Sequence, residues 1–154
     1  MSQAFVKEGD GADGEPLAEL QVSPHRNLVT AEGLAQIEAH VDRLRRELTA
    51  ARSVEDRAGI QRIQRDLRYW NERQRTAERV APPAPGGKAR FGSTVELEKP
   101  DGGRVAYRIV GEDEADPARG CISYVSPLAR RLIGAAPDDE IQLPEGSAVI
   151  VEIR

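Results

Sequence analysis

Leu34, Ile37, Val41, Leu44, Leu48 and Ala51 recur at spacings of three and four residues, and Ile60, Ile63, Leu67, Trp70, Gln74 and Ala77 repeat the pattern. Such spacing lays one apolar seam along each of two helices. Each helix would run for about three heptads, or ~30–35 Å at 1.5 Å per residue. Thr30 is placed to cap the first helix, with Glu32 near the positive end of its dipole; Ser53 is placed to cap the second, with Asp56 three residues on. Only Arg52 to Gly59 remains for the connection, and a turn that short makes the helices antiparallel neighbours, a coiled-coil hairpin. Neither helix would persist alone in water, because nucleation is costly and the stabilising burial lies between the seams.

The pattern changes after residue 80. "APPAPGGKAR", residues 81–90, has three prolines and two glycines without periodicity and reads as a linker. From 91 to 154 short β-rich runs ("STVEL", "GRVAYRIV", "CISYV", "IQLP", "SAVIVEI") alternate with turn signals ("PDGG", "ADPARG", "LPEG"). In "SPLARRLIG" the apolar residues fall at helical spacing after Ser126 and Pro127, an N-cap followed by proline at the first helical position, and Gly134 supplies a stop. The expectation is an α+β chain: a flexible acidic arm over 1–27, the hairpin over 28–80, the linker, and a small antiparallel sheet with one short helix over 91–154. Leu20, Val22, Leu28 and Val29 are expected to pack on the folded part, and Pro24 to keep that stretch extended.

Composition narrows the class. The 154 residues allow one domain, or a small domain plus an extended element, and exclude a large two-lobed enzyme. With 31% charged and 39% hydrophobic residues, part of the chain is expected to have much surface for its volume, as a long solvated hairpin does. No apolar run approaches the ~18–20 residues needed to span a bilayer, and the acidic amino terminus is unlike a leader, so a cytoplasmic location and no membrane partner are expected. Cys121, alone, forms no internal disulfide and is expected to pack in a strand; with only His25 and His40 there is no multi-ligand zinc spacing. The net charge of −4 hides an asymmetry, since residues 30–80 carry eleven arginines against nine acids. That mild excess fits a solvated helix face, with a nucleic-acid-binding hairpin as the competing reading.

The order of elements, together with "FGSTVEL", "YRIVGEDEADP", "ISYVSPLARRLIG" and "DDEIQLPEGSAVIVEI", resembles the bacterial GreA/GreB transcription-elongation factors over about residues 28–154. "LVTAEGLAQIEAHVDRLRREL" is similar to the start of their coiled coil. The resemblance implies an FKBP-like C-terminal domain that docks at the rim of the RNA polymerase secondary channel. It also implies a monomer whose hairpin enters the channel and approaches the RNA 3′ end and DNA of the transcription complex. Two tip acids in that family help hold a magnesium ion shared with the polymerase active centre, so that the polymerase hydrolyses backtracked RNA. Carboxylates are the hard oxygen ligands Mg²⁺ prefers, and the polymerase remains the enzyme.

The resemblance makes Glu55 and Asp56 the candidate metal-binding tip acids. The family's tip resembles G-D-L-x-E-N followed by A-E-Y, with its acids two residues apart. Here Ser53-Val54-Glu55-Asp56-Arg57 places two adjacent acids before an arginine, on arms shorter by about two turns, or ~10 Å of reach. Flanking Arg52 and Arg57 would compete for the carboxylates, so a first-turn helix role stands beside the metal role, and channel occupancy without cleavage beside cleavage stimulation. The acids Glu112, Asp113, Glu114 and Asp116 have no EF-hand spacing. They read either as an exposed turn or, through the resemblance, as a polymerase contact made by Asp113, Glu114 and Asp116 with Ser126, Pro127 and Leu128. Tyr69 and Trp70 read as seam packing and its edge rather than a base-stacking platform. Phe91, Tyr107 and Tyr124 are too few to argue for a prolyl-isomerase pocket.

Overall fold

The computed structural model describes residues 15–154, so the first half of the acidic arm lies outside the described residues. The two seams form an antiparallel helical hairpin, with α1 at Ala31–Ser53 and α2 at Arg57–Thr76. Val41, Leu44, Ala51, Ile63 and Leu67 are buried between them, flanked by Leu48, Ile60 and Trp70. The arms are 23 and 20 residues long, which gives about 34 and 30 Å. The α2 seam departs from the expected one at its base, where Gln74 is exposed and Arg73 is buried instead. The heptad does not run that far, because a charged partner from another part of the chain claims the position.

Two-residue strands β1 (Leu28–Val29) and β2 (Glu78–Arg79) pair in parallel and tie the two ends of the hairpin together. Neither is long enough to leave a pattern in the sequence. The C-terminal sheet has β3 (Thr94–Glu98), β4 (Arg104–Val110), β5 (Cys121–Ser123), β6 (Glu140–Leu143) and β7 (Gly146–Ile153) in the order β5-β4-β3-β7-β6. The expectation of a wholly antiparallel sheet is corrected, because β5 pairs with β4 in parallel. A 3₁₀ turn at Pro117–Arg119 and a crossover bring the chain back in the same direction.

Helix α3 (Pro127–Leu132) packs Ala129 and Leu132 into a core with Val95, Leu97, Ile109, Ile141, Leu143, Ala148 and Ile150. Ser126 caps it as expected, its Oγ accepting from the Ala129 N–H, and Gly134 ends the segment at φ 89°. Cys121 is half-buried in β5 rather than fully packed. Among the described residues no helix is long and apolar enough to cross a membrane.

Candidate functional site

The hairpin turn is tighter than expected, with Val54, Glu55 and Asp56 alone between the helices. The Glu55 N–H donates to the Arg52 carbonyl at 3.2 Å and the Asp56 N–H to the Ala51 carbonyl at 3.0 Å, the bond pair of a Schellman motif. That motif needs a left-handed residue after the cap, and Glu55 supplies it at φ 56° where glycine is usual. Asp56 then begins the next helix, its Oδ1 accepting from the Gly59 N–H at 3.0 Å. Asp56, not Ser53, therefore caps α2; Ser53 ends α1, and its hydroxyl donates to the Ala50 carbonyl at 2.7 Å. The two acids differ, since Asp56 is engaged in capping while Glu55 is exposed and its carboxylate takes no hydrogen-bond partner among the described residues. Arg52 and Arg57 form no ion pair with either acid among the described residues, and no group of three or more metal-ligating side chains occurs among them.

At the opposite end, Glu112, Asp113 and Glu114 fold onto the base of the hairpin, and these three and Asp116 are half-buried, not an exposed turn. Asp113 accepts from the Tyr69 hydroxyl at 2.6 Å and from Arg73 Nε at 2.5 Å, with side-chain exposures of 11% for Asp113 and 2% for Arg73. Burial, with the Asp113 carboxylate second, pushes the Tyr69 hydroxyl up to about 12. Glu114 accepts from the Thr30 hydroxyl at 2.6 Å while Thr30 caps α1 by accepting from the Gly33 N–H at 2.9 Å, so a carboxylate sits at the positive end of that helix. Glu112 accepts from Ser23 at 2.9 Å and lies 3.2 Å from His25 Nδ1.

Two glycines permit this approach: a Cβ on Gly33 would stand 2.5 Å from Glu114 Oε2, and one on Gly111 would stand 2.4 Å from the Leu28 carbonyl oxygen. Tyr124 donates to the Arg26 carbonyl and Arg108 to Glu32 Oε2, closing the joint on the strand side. The heptad spacing points to Gln74 and carries no mark that Arg73 is the buried residue. The one available signal was the arginine one residue before a polar seam position.

Asp116 is left beside an apolar groove of about 610 Å³ whose lining includes Tyr107, Ile122, Pro127, Leu128, Leu143 and Pro144, with Ser126, Arg131 and Glu145 supplying polar groups. Ser126, Pro127 and Leu128 thus sit together, while Asp113 and Glu114 face the hairpin base. Trp70 flanks the seam and stacks on His40, with ring centroids 4.3 Å apart and planes 16° apart. Burial, followed by the Arg43 charge, holds the His40 imidazole below its usual range.

The molecule is thus a two-helix probe locked onto a groove-bearing β-rich domain. The family model described as "Transcription elongation factor, GreA/GreB, C-term" matches residues 84–154. The transcription elongation factor GreB of Xanthomonas axonopodis pv. citri (strain 306) is 38% identical over 149 residues, covering 82% of this chain and 88% of that protein. The chain belongs to the GreA/GreB family of transcription elongation factors. The GreB of Haemophilus ducreyi (strain 35000HP / ATCC 700724) is 43% identical over 93 residues, 58% of this chain, and the match spans only 57% of that relative's length. Among solved structures, GreA factor homolog 1 of Thermus thermophilus is similar at 21% identity and TM-score 0.41, covering 84% of this chain and 99% of that one.

Proposed function

We propose that the protein binds bacterial RNA polymerase at the secondary channel, seats the groove around Ser126, Pro127 and Leu128 at the channel rim, and passes the hairpin inward. The polymerase stays the only enzyme. The reading is of channel occupancy that modulates elongation rather than strong stimulation of RNA cleavage. The observation that carries it is Asp56 capping α2 through the Gly59 N–H, which leaves Glu55 as the one wholly free tip carboxylate. Mg²⁺ shared at the polymerase centre would then find one hard oxygen ligand on this chain where a two-acid tip offers two. Glu55 held in the left-handed conformation favours the second reading, direct cation contact, because backbone strain at an exposed tip is retained where the side chain has a task. The remaining expectations, an FKBP-like groove domain, Asp116 at the polymerase contact and a monomer, belong to the same proposal.

A backtracked elongation complex with labelled RNA separates the two readings. Under channel occupancy, the protein slows cleavage stimulated by an added GreB and releases no 3′ fragments itself, and Leu128→Asp removes the competition. Release of 3′ fragments that is lost on Glu55→Ala would establish the cation reading instead. No effect of either kind on a complex that binds GreB normally would sink the polymerase assignment.

A further inference from the structure

Residues 15–22 leave the base of the hairpin and run along the outside of α2 toward its tip. Glu19 meets Arg68 through two nitrogens, with Nε at 3.1 and 3.0 Å from the two carboxylate oxygens, and Pro16 and Leu17 lie beside Gln61 and Gln64. The residues Arg57, Gln61, Gln64 and Arg68 are spaced four, three and four apart, so they form one row of donors along α2, about 16 Å from first to last. Three other arginines of the helix are neutralised within the fold: Arg65 by Asp66, Arg73 by Asp113 and Arg75 by Glu72. Arg57 and Arg62 have no carboxylate partner among the described residues, and Arg68 has only the one brought by the arm.

The arm is held unevenly. At its base it is anchored by the Ser23 and His25 contacts with Glu112 and by Asn27, whose Nδ2 donates to the Arg73 carbonyl at 2.7 Å. Before Ser23 the anchoring is slight: Leu17, Leu20 and Val22 stay 42%, 40% and 41% exposed, and the Glu19 and Arg68 side chains are 60% and 57% exposed. An ion pair that wet is weak and salt-screened, and apolar side chains that open contribute little burial.

We propose that residues 16–22 form a releasable strap whose Glu19 stands in for a phosphate on the Arg57–Arg68 row, so that the phosphate backbone of single-stranded nucleic acid and the strap compete for the same face of α2. A guanidinium fork that accepts a carboxylate through two nitrogens accepts a phosphate in the same geometry, and the two glutamines between supply further donors. Lifting the strap at the Val22–Ser23 junction uncovers the row without disturbing the joint, because the anchors at Ser23, His25 and Asn27 all lie on the hairpin-base side of that hinge.

The test uses the full chain and a short labelled single-stranded oligouridylate at low salt, read by fluorescence anisotropy. Glu19→Gln should bind about threefold tighter than the parent, the scale of releasing an exposed ion pair. Arg68→Gln should weaken binding and cancel the Glu19→Gln gain when the two are combined. Glu38→Gln, which changes net charge equally at an exposed site on α1, should leave affinity unchanged. Affinity should fall roughly 7- to 20-fold as salt rises from about 50 to about 200 mM, as for two or three neutralised phosphates. Amide exchange of residues 17–22 should speed up when the oligonucleotide is added. Equal gains from Glu19→Gln and Glu38→Gln, an unchanged Arg68→Gln, or no binding by Glu19→Gln at low salt would each overturn the proposal. None of these outcomes depends on polymerase binding.

Discussion

Replacing Asp113 by alanine removes one carboxylate and should loosen the whole joint. Its Oδ2 faces Arg73 Nε and its Oδ1 the Tyr69 hydroxyl, and Arg73 is 2% exposed. The substitution leaves a guanidinium in the interior without its counter-charge and a half-buried hydroxyl without its acceptor. Breaking a buried pair from one side costs about 3–5 kcal/mol, most of it desolvation of the charge left behind. A domain of this size has on the order of 5–15 kcal/mol in total.

The urea midpoint should therefore fall by about 2 M for a slope of ~2 kcal/mol/M. Trp70 lies one residue from Tyr69 and flanks the hairpin seam, so its fluorescence reports the hairpin, while far-UV circular dichroism also reports the sheet. In the variant the Trp70 transition should come at lower urea than the sheet transition, because the hairpin loses the domain that holds its base. Arg73→Met with Asp113→Ala should recover much of the loss, since no charge is then stranded. A loss below ~1 kcal/mol for Asp113→Ala, or no recovery in the double variant, would mean that the pair is solvated in solution and that the joint rests on other contacts.

Gly111→Ala should cost about 2 kcal/mol or more and reduce soluble yield, because its Cβ would meet the Leu28 carbonyl at 2.4 Å, backbone that cannot swing aside. Glu55→Gly should raise thermal stability by up to ~1 kcal/mol through relief of the left-handed strain, seen as a higher Tm, while removing the free tip carboxylate. Tyr69 has a folded-state value raised to about 12, so its contribution is whole below the unfolded tyrosine value of ~10 and is lost as pH rises from there through the folded value. An alkaline unfolding titration of Tyr69→Phe should show a weaker pH dependence over that window. His40 is depressed in the folded state, so hairpin stability should decline as pH falls below about 6.5, and His40→Gln should flatten that decline in thermal melts.

The helical hairpin was legible because its apolar residues obey a local period over more than forty residues, and a seam of that kind has no other way to be buried. Ser126-Pro127 and Gly134 announced the short helix for the same reason, since caps act on neighbours in the chain. The tip was half legible: its place followed from the length left between the seams, but not which residue would cap. Ser53 and Asp56 both satisfy the local chemistry, and only the tight Schellman geometry, with Glu55 left-handed, gave the cap to Asp56. The sheet order escaped because β5 has three residues and pairs in parallel with a strand whose pattern carries no mark of it.

Sequence alone determined the long helices, their antiparallel pairing, the short capped helix and the end of the hairpin that carries the tip, all matters of spacing within one segment. Tertiary structure decided what the charges do. Asp113 and Glu114 stand in the sequence as part of one acidic run, and nothing local says that Arg73, Tyr69 and Thr30, 40 to 84 positions away, will take them up. A helix period reports which face is buried; the partner of a buried charge depends on contacts between distant segments, which form only when the domain closes on the base of the hairpin.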